Sequence, residues 1–276
     1  MKVAVFGAGT MGSGIAQTFA KAGNQVQLLD LNLDIVNGAI AKLAKGFDKQ
    51  IEKGRMDAAT KDAILNNITA AEKKDIADVD LVVEAAFESM EVKKTLFKEL
   101  DEIVKEGAVF ASNTSSLSIT EIGFGLKHDT IGMHFFNPVS AMKLVEVIRG
   151  ANTKQETFDF VKGAAEAIGK TAVEVNEAPG FVVNRILVPY CNEGFFVLQE
   201  GIASAKDIDT AMKLGANHPM GPLELSDLIG LDIVLAVMNV LYTETGDSKY
   251  RACPLLKKYV RSGKLGRKTG EGVFKY

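Results

Sequence analysis

Residues 2–12 read Lys2-Val3-Ala4-Val5-Phe6-Gly7-Ala8-Gly9-Thr10-Met11-Gly12, and this stretch decides the fold. The run Val3–Phe6 is short and wholly apolar, which predicts a buried strand. The glycines that follow, at positions 7, 9 and 12, have the spacing G-x-G-x-x-G. A helical pattern then runs from Met11 to Ala22. A strand, a glycine turn of this spacing and a helix, in that order, predict the first βα unit of a dinucleotide-binding fold.

The glycine turn has a physical reason at each position. Gly7 permits the tight turn, Gly9 lets the backbone approach a pyrophosphate, and Gly12 lets the helix and the strand pack closely. The helix start at Thr10 and Met11 offers free N–H groups and the positive end of a dipole to phosphate. The alternative is a glycine-rich turn that binds nothing.

The acid that ends the second predicted strand indicates which dinucleotide binds. Asp30 lies 18 residues after Gly12, where its carboxylate would accept hydrogen bonds from the adenosine ribose hydroxyls. A carboxylate repels a 2′-phosphate, and the following Leu31-Asn32-Leu33 provides no arginine to bind one. The sequence therefore predicts NAD as the cofactor rather than NADP.

Composition excludes several function classes. The 276-residue chain is 47% hydrophobic, and its formal net charge of -3 gives no electrostatic case for nucleic acid or an acidic membrane as a partner. No apolar run approaches the roughly 20 residues needed to cross a bilayer, and the N-terminus lacks a signal-peptide pattern. Cys191 and Cys253 lie far apart and outside any CxxC motif, so we expect reduced thiols, a cytoplasmic location and no metal site.

Strand-like and helical patterns alternate through the first two-thirds of the chain. The further predicted strands are Val26–Leu29, Asp80–Ala85, Ala108–Ser112, Thr130–Phe135, Leu144–Ile148 and Thr171–Val175. Apolar residues at three-to-four spacing predict a long helix over Val36–Ile51, and Thr153 with Glu156 predicts a capping box that opens a helix to about Ile168. The alternation predicts an α/β fold of Rossmann type, with a doubly wound and mostly parallel sheet.

The pattern changes at Ala178-Pro179-Gly180, after which strand character is scarce. The later helical patterns cover Phe181–Gln199, Asp207–Leu214, Leu231–Tyr242 and Leu255–Val260. We therefore expect an NAD-binding Rossmann domain over residues 1–180 and an all-helical C-terminal domain for substrate and dimerisation over residues 181–276. The helical part has more apolar surface than about 95 residues bury alone, which favours a homodimer formed through this domain.

Hydride transfer to or from an alcohol needs a group that moves the hydroxyl proton, and histidine suits this near neutral pH. His128 lies in a polar stretch and is expected to be solvated, whereas His218 falls in the helical part. His134 stands at the end of an apolar strand, just before Asn137-Pro138, where active sites of open α/β sheets gather. Its position alone leaves a catalytic histidine and a satisfied half-buried histidine as alternatives.

Five longer motifs bear on the choice between a catalytic His134 and a half-buried His134 without a catalytic role. They are SNTSSL (112–117), HFFNP (134–138), KLVEVI (143–148), PGFVVNR (179–185) and GRKTGEG (266–272). Together they resemble the L-3-hydroxyacyl-CoA dehydrogenase family, and most closely its bacterial 3-hydroxybutyryl-CoA dehydrogenase group. The resemblance covers essentially the whole chain. It implies an NAD-dependent oxidoreductase that interconverts (3S)-3-hydroxyacyl-CoA and 3-ketoacyl-CoA of short chain, in fatty-acid or butanoate metabolism.

The resemblance also implies the catalytic residues. His134 matches the family's catalytic base and acid, and Glu146 matches the carboxylate that fixes its tautomer and stabilises the imidazolium. A glutamate in an apolar strand needs a partner, although an edge-strand residue facing water is the alternative. Ser115 matches the serine that hydrogen-bonds the substrate's C3 oxygen, with a helix N-cap as the alternative. Asn184 matches the asparagine that joins it near the reacting centre.

Further matches concern the cofactor and the CoA group. Asn113, Glu88 and Lys93 match positions that contact the ribose and nicotinamide end of the cofactor, although Glu88 and Lys93 could form a solvated helix face. In the long helix, lysines four residues apart share one face. The family places its CoA-contacting lysines in this helix, which favours Lys49 and Lys53 over an ordinary solvated face.

Two rival functions stay open at this point. The first is a β-hydroxyacid dehydrogenase that acts on free acids with the same scaffold. Such enzymes typically use lysine at the chemical step, so the pairing of His134 with Glu146 argues against it. The second is a non-catalytic NAD-binding relative, against which the joint presence of His134, Glu146, Ser115 and Asn184 argues.

Overall fold

An eight-stranded sheet is the frame of residues Met1–Glu177, the first of two units into which the chain divides. The structure is a computed structural model and describes all 276 residues. In chain order the strands are β1 (Lys2–Phe6), β2 (Gln25–Leu29), β3 (Ile68–Ala70), β4 (Leu81–Glu84), β5 (Val109–Ser112), β6 (Asp129–Phe135), β7 (Leu144–Arg149) and β8 (Thr171–Asn176). Their order across the sheet is β3-β2-β1-β4-β5-β6-β7-β8, and only β6 and β7 are antiparallel neighbours. The sheet extends in both directions from β1, which confirms the predicted doubly wound, mostly parallel fold.

Six helices connect these strands. They are α1 (Thr10–Lys21), α2 (Leu33–Glu52), α3 (Ala58–Asn66), α4 (Met90–Asp101), α5 (Ile119–Ile122) and α6 (Gln155–Ala167), with a 3₁₀ turn at Lys73–Ile76. The central strands β4 and β5 are buried on both faces, as expected for parallel strands between two layers of helices. Sequence patterns do not predict α3 or β3, because a strand of three residues is too short to show a period.

Five helices make up the second unit, Ala178–Tyr276, and the helical patterns in the sequence predict four of them. They are α7 (Val183–Gln199), α8 (Ala205–Gly215), α9 (Pro222–Ile229), α10 (Leu231–Thr245) and α11 (Pro254–Arg261). A hydrophobic core that includes Val188, Phe195 and Met238 holds them together. Sequence patterns miss α9, which has only eight residues. They also place the division of the chain near residue 180.

Gly230 joins α9 to α10 with a φ of +104°, a backbone conformation that favours glycine. No single helix of the chain is long and apolar enough to span a membrane. Helices α9 and α10 reach that length and composition only when taken together, and they are bent by 98° at their junction.

The predicted capping box of α6 is wrong. The N-cap residue is Lys154, and its side chain makes no capping hydrogen bond. The Thr153 hydroxyl instead accepts a hydrogen bond from Gly150 N at 3.0 Å and donates one to Thr130 O at 2.8 Å. Thr153 therefore ties the end of β7 to β6 rather than capping the helix.

The predicted solvation of His128 is also wrong, because the residue is buried just before β6. Its Nδ1 lies 2.6 Å from Asp101 Oδ1, its Nε2 lies 2.9 Å from Lys105 O, and its ring stacks on Phe110. Burial by itself raises the pKa of the Asp101 carboxyl, but hydrogen bonds from Lys127 N and from His128 outweigh it and leave that pKa lowered. His128 thus fixes the loop before β6, a contact across 27 residues that the polar sequence around it does not reveal.

Candidate active site

Close packing accounts for two of the three glycines in the G-x-G-x-x-G stretch, Gly7 and Gly12. Gly7 has a φ of +108°, and a Cβ there would lie 2.4 Å from the carbonyl oxygen of Ala85. A Cβ on Gly12 would lie 1.6 Å from the carbonyl oxygen of Gly7, so a larger residue cannot fit without a shift of the backbone. Nothing lies within 4 Å of the position that a Cβ on Gly9 would take, so the space beside this residue is open.

The N-terminus of α1 has no side-chain cap. Its N-cap residue is Gly9 and its first turn contains no acidic residue, so no side chain of the helix itself offsets the positive end of the helix dipole. Thr10 in this turn is exposed, whereas Met11 packs against the hydrophobic core. A 12-residue helix that begins in this way beside open space fits the pyrophosphate of a dinucleotide.

Asp30 fixes the glycine turn to the end of β2. Its Oδ2 accepts a hydrogen bond from Ala8 N at 2.6 Å, and its Oδ1 accepts one from Leu31 N at 2.7 Å. Each carboxylate oxygen can accept a further hydrogen bond. These contacts are therefore compatible with the expected binding of ribose hydroxyls by Asp30.

The cavity beside Asp30 is also lined by Lys73 and Lys74, which sequence reasoning did not place there. Lys74 pairs with Glu72 at 2.6 Å, and Lys73 pairs with Glu99. The absence of arginine just after Asp30 therefore does not mean that no cation lies near this carboxylate. Each of the two lysines, however, already pairs with another carboxylate.

Antiparallel pairing of β6 with β7 places His134 directly opposite Glu146. The two residues are 4% and 1% exposed, and His134 Nδ1 lies 2.8 Å from Glu146 Oε2. A water-facing Glu146 is therefore excluded. An ionised carboxylate only accepts hydrogen bonds, so Nδ1 carries the proton in this pair.

Ser115 lies on the other side of the imidazole, with its Oγ 3.1 Å from His134 Nε2. When Nδ1 of a neutral ring is protonated, Nε2 has the free lone pair and accepts the serine hydroxyl. The alternative of Ser115 as a helix N-cap is wrong, because Ser118 caps α5 by accepting from Glu121 N at 3.0 Å. The structure thus brings Glu146, His134 and Ser115 into one hydrogen-bonded line.

The turn that carries Ser115, the Ser112–Ser116 turn, is tied to the strands on both sides of β5. Asn113 N donates to Glu84 O at 2.7 Å, and Asn113 Oδ1 accepts from Phe135 N at 2.8 Å. Phe135 is the residue after His134, so this hydrogen bond holds the turn beside the histidine. The expected cofactor contact of Asn113 stays a prediction.

Lys93 does not belong to a solvated helix face, since only 1% of its side chain is exposed. Its Nζ lies 2.7 Å from Glu84 Oε1 and 3.3 Å from Glu88 Oε2. The side chain of Glu88 is 40% exposed, so this carboxylate is the part of the group that solvent or a ligand can reach. Lys93 and Glu88, both expected near the cofactor, therefore contact each other.

Glu88 also binds the Ser112–Ser116 turn. Its Oε1 accepts hydrogen bonds from Thr114 Oγ1 at 2.7 Å and from Ser115 N at 2.9 Å. Its contact with Ser116 Oγ is longer, at 3.3 Å. Glu88 therefore connects the lysine of α4 to the turn that presents Ser115.

Glu84 is a site residue that sequence reasoning missed. It ends β4, is 0% exposed, and accepts hydrogen bonds from Lys93 Nζ and from Ser112 Oγ. The signal was present, because Glu84 interrupts an apolar strand just as Glu146 does. The argument that a buried glutamate needs a partner applies to both residues.

The glycine turn and His134 lie at the same edge of the sheet. Strands β1, β4, β5 and β6 are parallel neighbours in that order, so their carboxyl ends are aligned. At about 4.8 Å per strand, β6 lies roughly 14 Å from β1. An extended dinucleotide that starts at the glycine turn can cross this distance, which is where ligands of open α/β sheets bind.

The residues expected at the substrate belong to different elements of the chain. Lys49 lies in the last turn of α2 and Lys53 is its C-cap residue, and both are exposed. Asn184 lies in the first turn of α7, in the second unit. The substrate contacts expected of these three residues stay predictions.

Comparison with known proteins agrees with the site. Residues 2–178 match the family "3-hydroxyacyl-CoA dehydrogenase, NAD binding domain", and residues 180–276 match "3-hydroxyacyl-CoA dehydrogenase, C-terminal domain". The chain is 54% identical over 279 residues to 3-hydroxybutyryl-CoA dehydrogenase of Clostridioides difficile, covering 100% of this chain and 99% of that protein. It is 43% identical to human mitochondrial hydroxyacyl-coenzyme A dehydrogenase, covering 99% of this chain and 90% of that protein. The crystal structure of (S)-3-hydroxybutyryl-CoA dehydrogenase from Ralstonia eutropha superposes with a TM-score of 0.95 at 47% identity, covering 100% and 98% of the two chains.

Proposed function

The chain belongs to the 3-hydroxyacyl-CoA dehydrogenase family, and from that premise we propose that it is an NAD-dependent oxidoreductase interconverting (3S)-3-hydroxyacyl-CoA and 3-ketoacyl-CoA. The names of its relatives support a short-chain substrate, the pair 3-hydroxybutyryl-CoA and acetoacetyl-CoA. The observation that carries the proposal is the hydrogen-bonded line from Glu146 through His134 to Ser115.

In the direction of oxidation, His134 acts as the general base. Its Nε2 takes the proton of the 3-hydroxyl, and Glu146 at Nδ1 stabilises the imidazolium that forms. The bound NAD supplies the acceptor for the hydride that leaves C3. Because Ser115 Oγ lies 3.1 Å from Nε2, a C3 oxygen that touches both groups is held in one place.

In the direction of reduction the same groups act in reverse. His134 as imidazolium donates the proton to the C3 oxygen, while Ser115 and Asn184 stabilise the charge that develops there. The uncapped start of α1 and Asp30 bind the dinucleotide, with Asn113, Glu88 and Lys93 towards its nicotinamide end. Lys49 and Lys53 bind the phosphates of CoA. The long, exposed side chains of these two lysines support this assignment.

We propose further that the two units, Met1–Glu177 and Ala178–Tyr276, act as a cofactor domain and a substrate and dimerisation domain. Exposed apolar side chains on the helical unit, including Ile186 and Ile202, support a homodimer formed there. Two free thiols support a reducing, cytoplasmic location, and burial raises the pKa of the Cys191 thiol to about 11. A short-chain substrate supports a role in fatty-acid or butanoate metabolism.

Oxidation of NADH by acetoacetyl-CoA tests the proposed function, with free acetoacetate and NADPH as the comparisons. We expect kcat/KM for the CoA ester to exceed that for the free acid at least about 100-fold, because binding of the remote CoA group supports catalysis. We also expect NADH to be preferred over NADPH. Comparable rates with the ester and the free acid would favour the free-acid dehydrogenase. Tight binding of NADH without turnover would favour the non-catalytic relative.

A further inference from the structure

We propose that Glu84 is a positioning residue, which acts through Lys93 and Ser112 to hold the Ser112–Ser116 turn so that the Ser115 hydroxyl meets His134. The inference rests on the proposed function, since it concerns the same reaction. Glu84 does not reach the imidazole itself, and its effect passes through the residues between them.

The Glu84 carboxylate is fully buried and has a partner at each oxygen. Its Oε1 accepts hydrogen bonds from Ala86 N at 2.6 Å and from Lys93 Nζ at 2.7 Å. Its Oε2 accepts one from Ser112 Oγ at 2.6 Å. A buried charge with several short hydrogen bonds has one favourable position, so it can serve as a fixed point for its neighbours.

Two hydrogen-bonded routes lead from Glu84 to the turn. The shorter one passes through Ser112, whose Oγ accepts from Thr114 N at 3.2 Å. The longer one passes through Lys93 to Glu88, which accepts from Ser115 N at 2.9 Å. Both routes end at neighbouring residues of the turn, and the second ends at the residue whose hydroxyl faces His134.

The charge of Glu84 decides how Lys93 divides its contacts. Lys93 lies 0.6 Å closer to Glu84 Oε1, at 2.7 Å, than to Glu88 Oε2, at 3.3 Å. In a Glu84→Gln variant the side chain keeps its size, but Lys93 has only Glu88 as a carboxylate partner. Glu88 is then drawn towards Lys93 and away from Ser115 N. The Ser115 hydroxyl loses its alignment with His134 Nε2 in consequence.

A double-mutant cycle with Ser115→Ala tests this route. We expect Glu84→Gln alone to lower kcat for acetoacetyl-CoA about 10- to 100-fold, because a small displacement at a reacting group has effects of this size. In the Ser115→Ala background the same substitution should change kcat by less than about threefold, since residues that act through one another are not additive. A merely structural role of Glu84 would instead give effects that multiply.

Asp101→Asn is the matched control. Asp101 is also buried in the first unit, but it lies eight residues after Lys93 on α4 and bonds His128 and Lys127 rather than the turn. Its substitution should leave kcat within about twofold in both backgrounds. Thermal melting and NADH binding of each variant establish that the chain is folded.

Ser112→Ala replaces Glu84→Gln in the same cycle if the latter does not fold, because it removes one route without removing a charge. Effects that multiply, or an unchanged kcat in the single variant, would overturn the proposal. Wild-type chain that is inactive with acetoacetyl-CoA would refute the proposed function itself. Active wild type with multiplying effects would refute only the role of Glu84.

Discussion

We expect the His134→Gln variant to reduce acetoacetyl-CoA about 10²- to 10⁴-fold more slowly than the wild type, which is the range that a positioned general acid contributes. Glutamine can form hydrogen bonds at this position but cannot deliver a proton to the C3 oxygen. The Kd for NADH should change less than about threefold, because the glycine turn and Asp30 are proposed to bind the other end of the cofactor. Steady-state rates and a fluorescence titration with NADH measure the two quantities.

The chain contains a matched control for this variant. His128 is also buried, and its Nδ1 also lies against a carboxylate, at 2.6 Å from Asp101 Oδ1. It precedes β6, however, whereas His134 lies at the carboxyl end of that strand. His128→Gln should lower the melting temperature and leave kcat within about twofold. Near-normal turnover by His134→Gln would show that another group carries the proton.

Glu146→Gln has the second-largest expected effect, a fall in kcat of about 10²- to 10³-fold. Glutamine can still accept the hydrogen bond from Nδ1, so the ring keeps its place, but no negative charge stabilises the imidazolium. Steady-state rates with acetoacetyl-CoA and NADH measure the fall in kcat.

A matched control separates this role from a loss of stability. Asp101→Asn removes a carboxylate from the other buried histidine pair, and we expect it to leave kcat within about twofold. The melting temperatures of both variants show whether the fold is kept. A Glu146→Gln variant whose kcat stays near the wild-type value would contradict the assigned role of Glu146.

Local and short-range features of this site were open to prediction from the sequence. The glycine spacing after an apolar strand predicts the turn at Gly7, and steric contact with Ala85 explains it. The polar residue in an apolar strand predicts a partner for Glu146, and the register of β6 and β7 supplies it. In both cases the residue's own strand shows what the residue requires, and a neighbouring strand supplies it.

Features that depend on distant segments could not be predicted in this way. The burial of His128 depends on Asp101, which lies 27 residues earlier on another element. In the sequence Lys93 resembles a surface lysine, and only the folded structure shows that it is buried beside Glu84 at the end of β4. Lys73 and Lys74 line the cavity at Asp30 because they follow β3, which pairs with β2. With only three residues, β3 is too short to be predicted from the sequence.

A crystal structure of the wild-type chain with NAD⁺ and acetoacetyl-CoA tests the central claim most directly, because these two oxidised ligands cannot react with each other. We predict that the C3 oxygen lies within about 3.2 Å of both His134 Nε2 and Ser115 Oγ, with C4 of the nicotinamide facing C3. A C3 oxygen bound elsewhere, or an imidazole separated from the nicotinamide by protein, would contradict the proposed reaction.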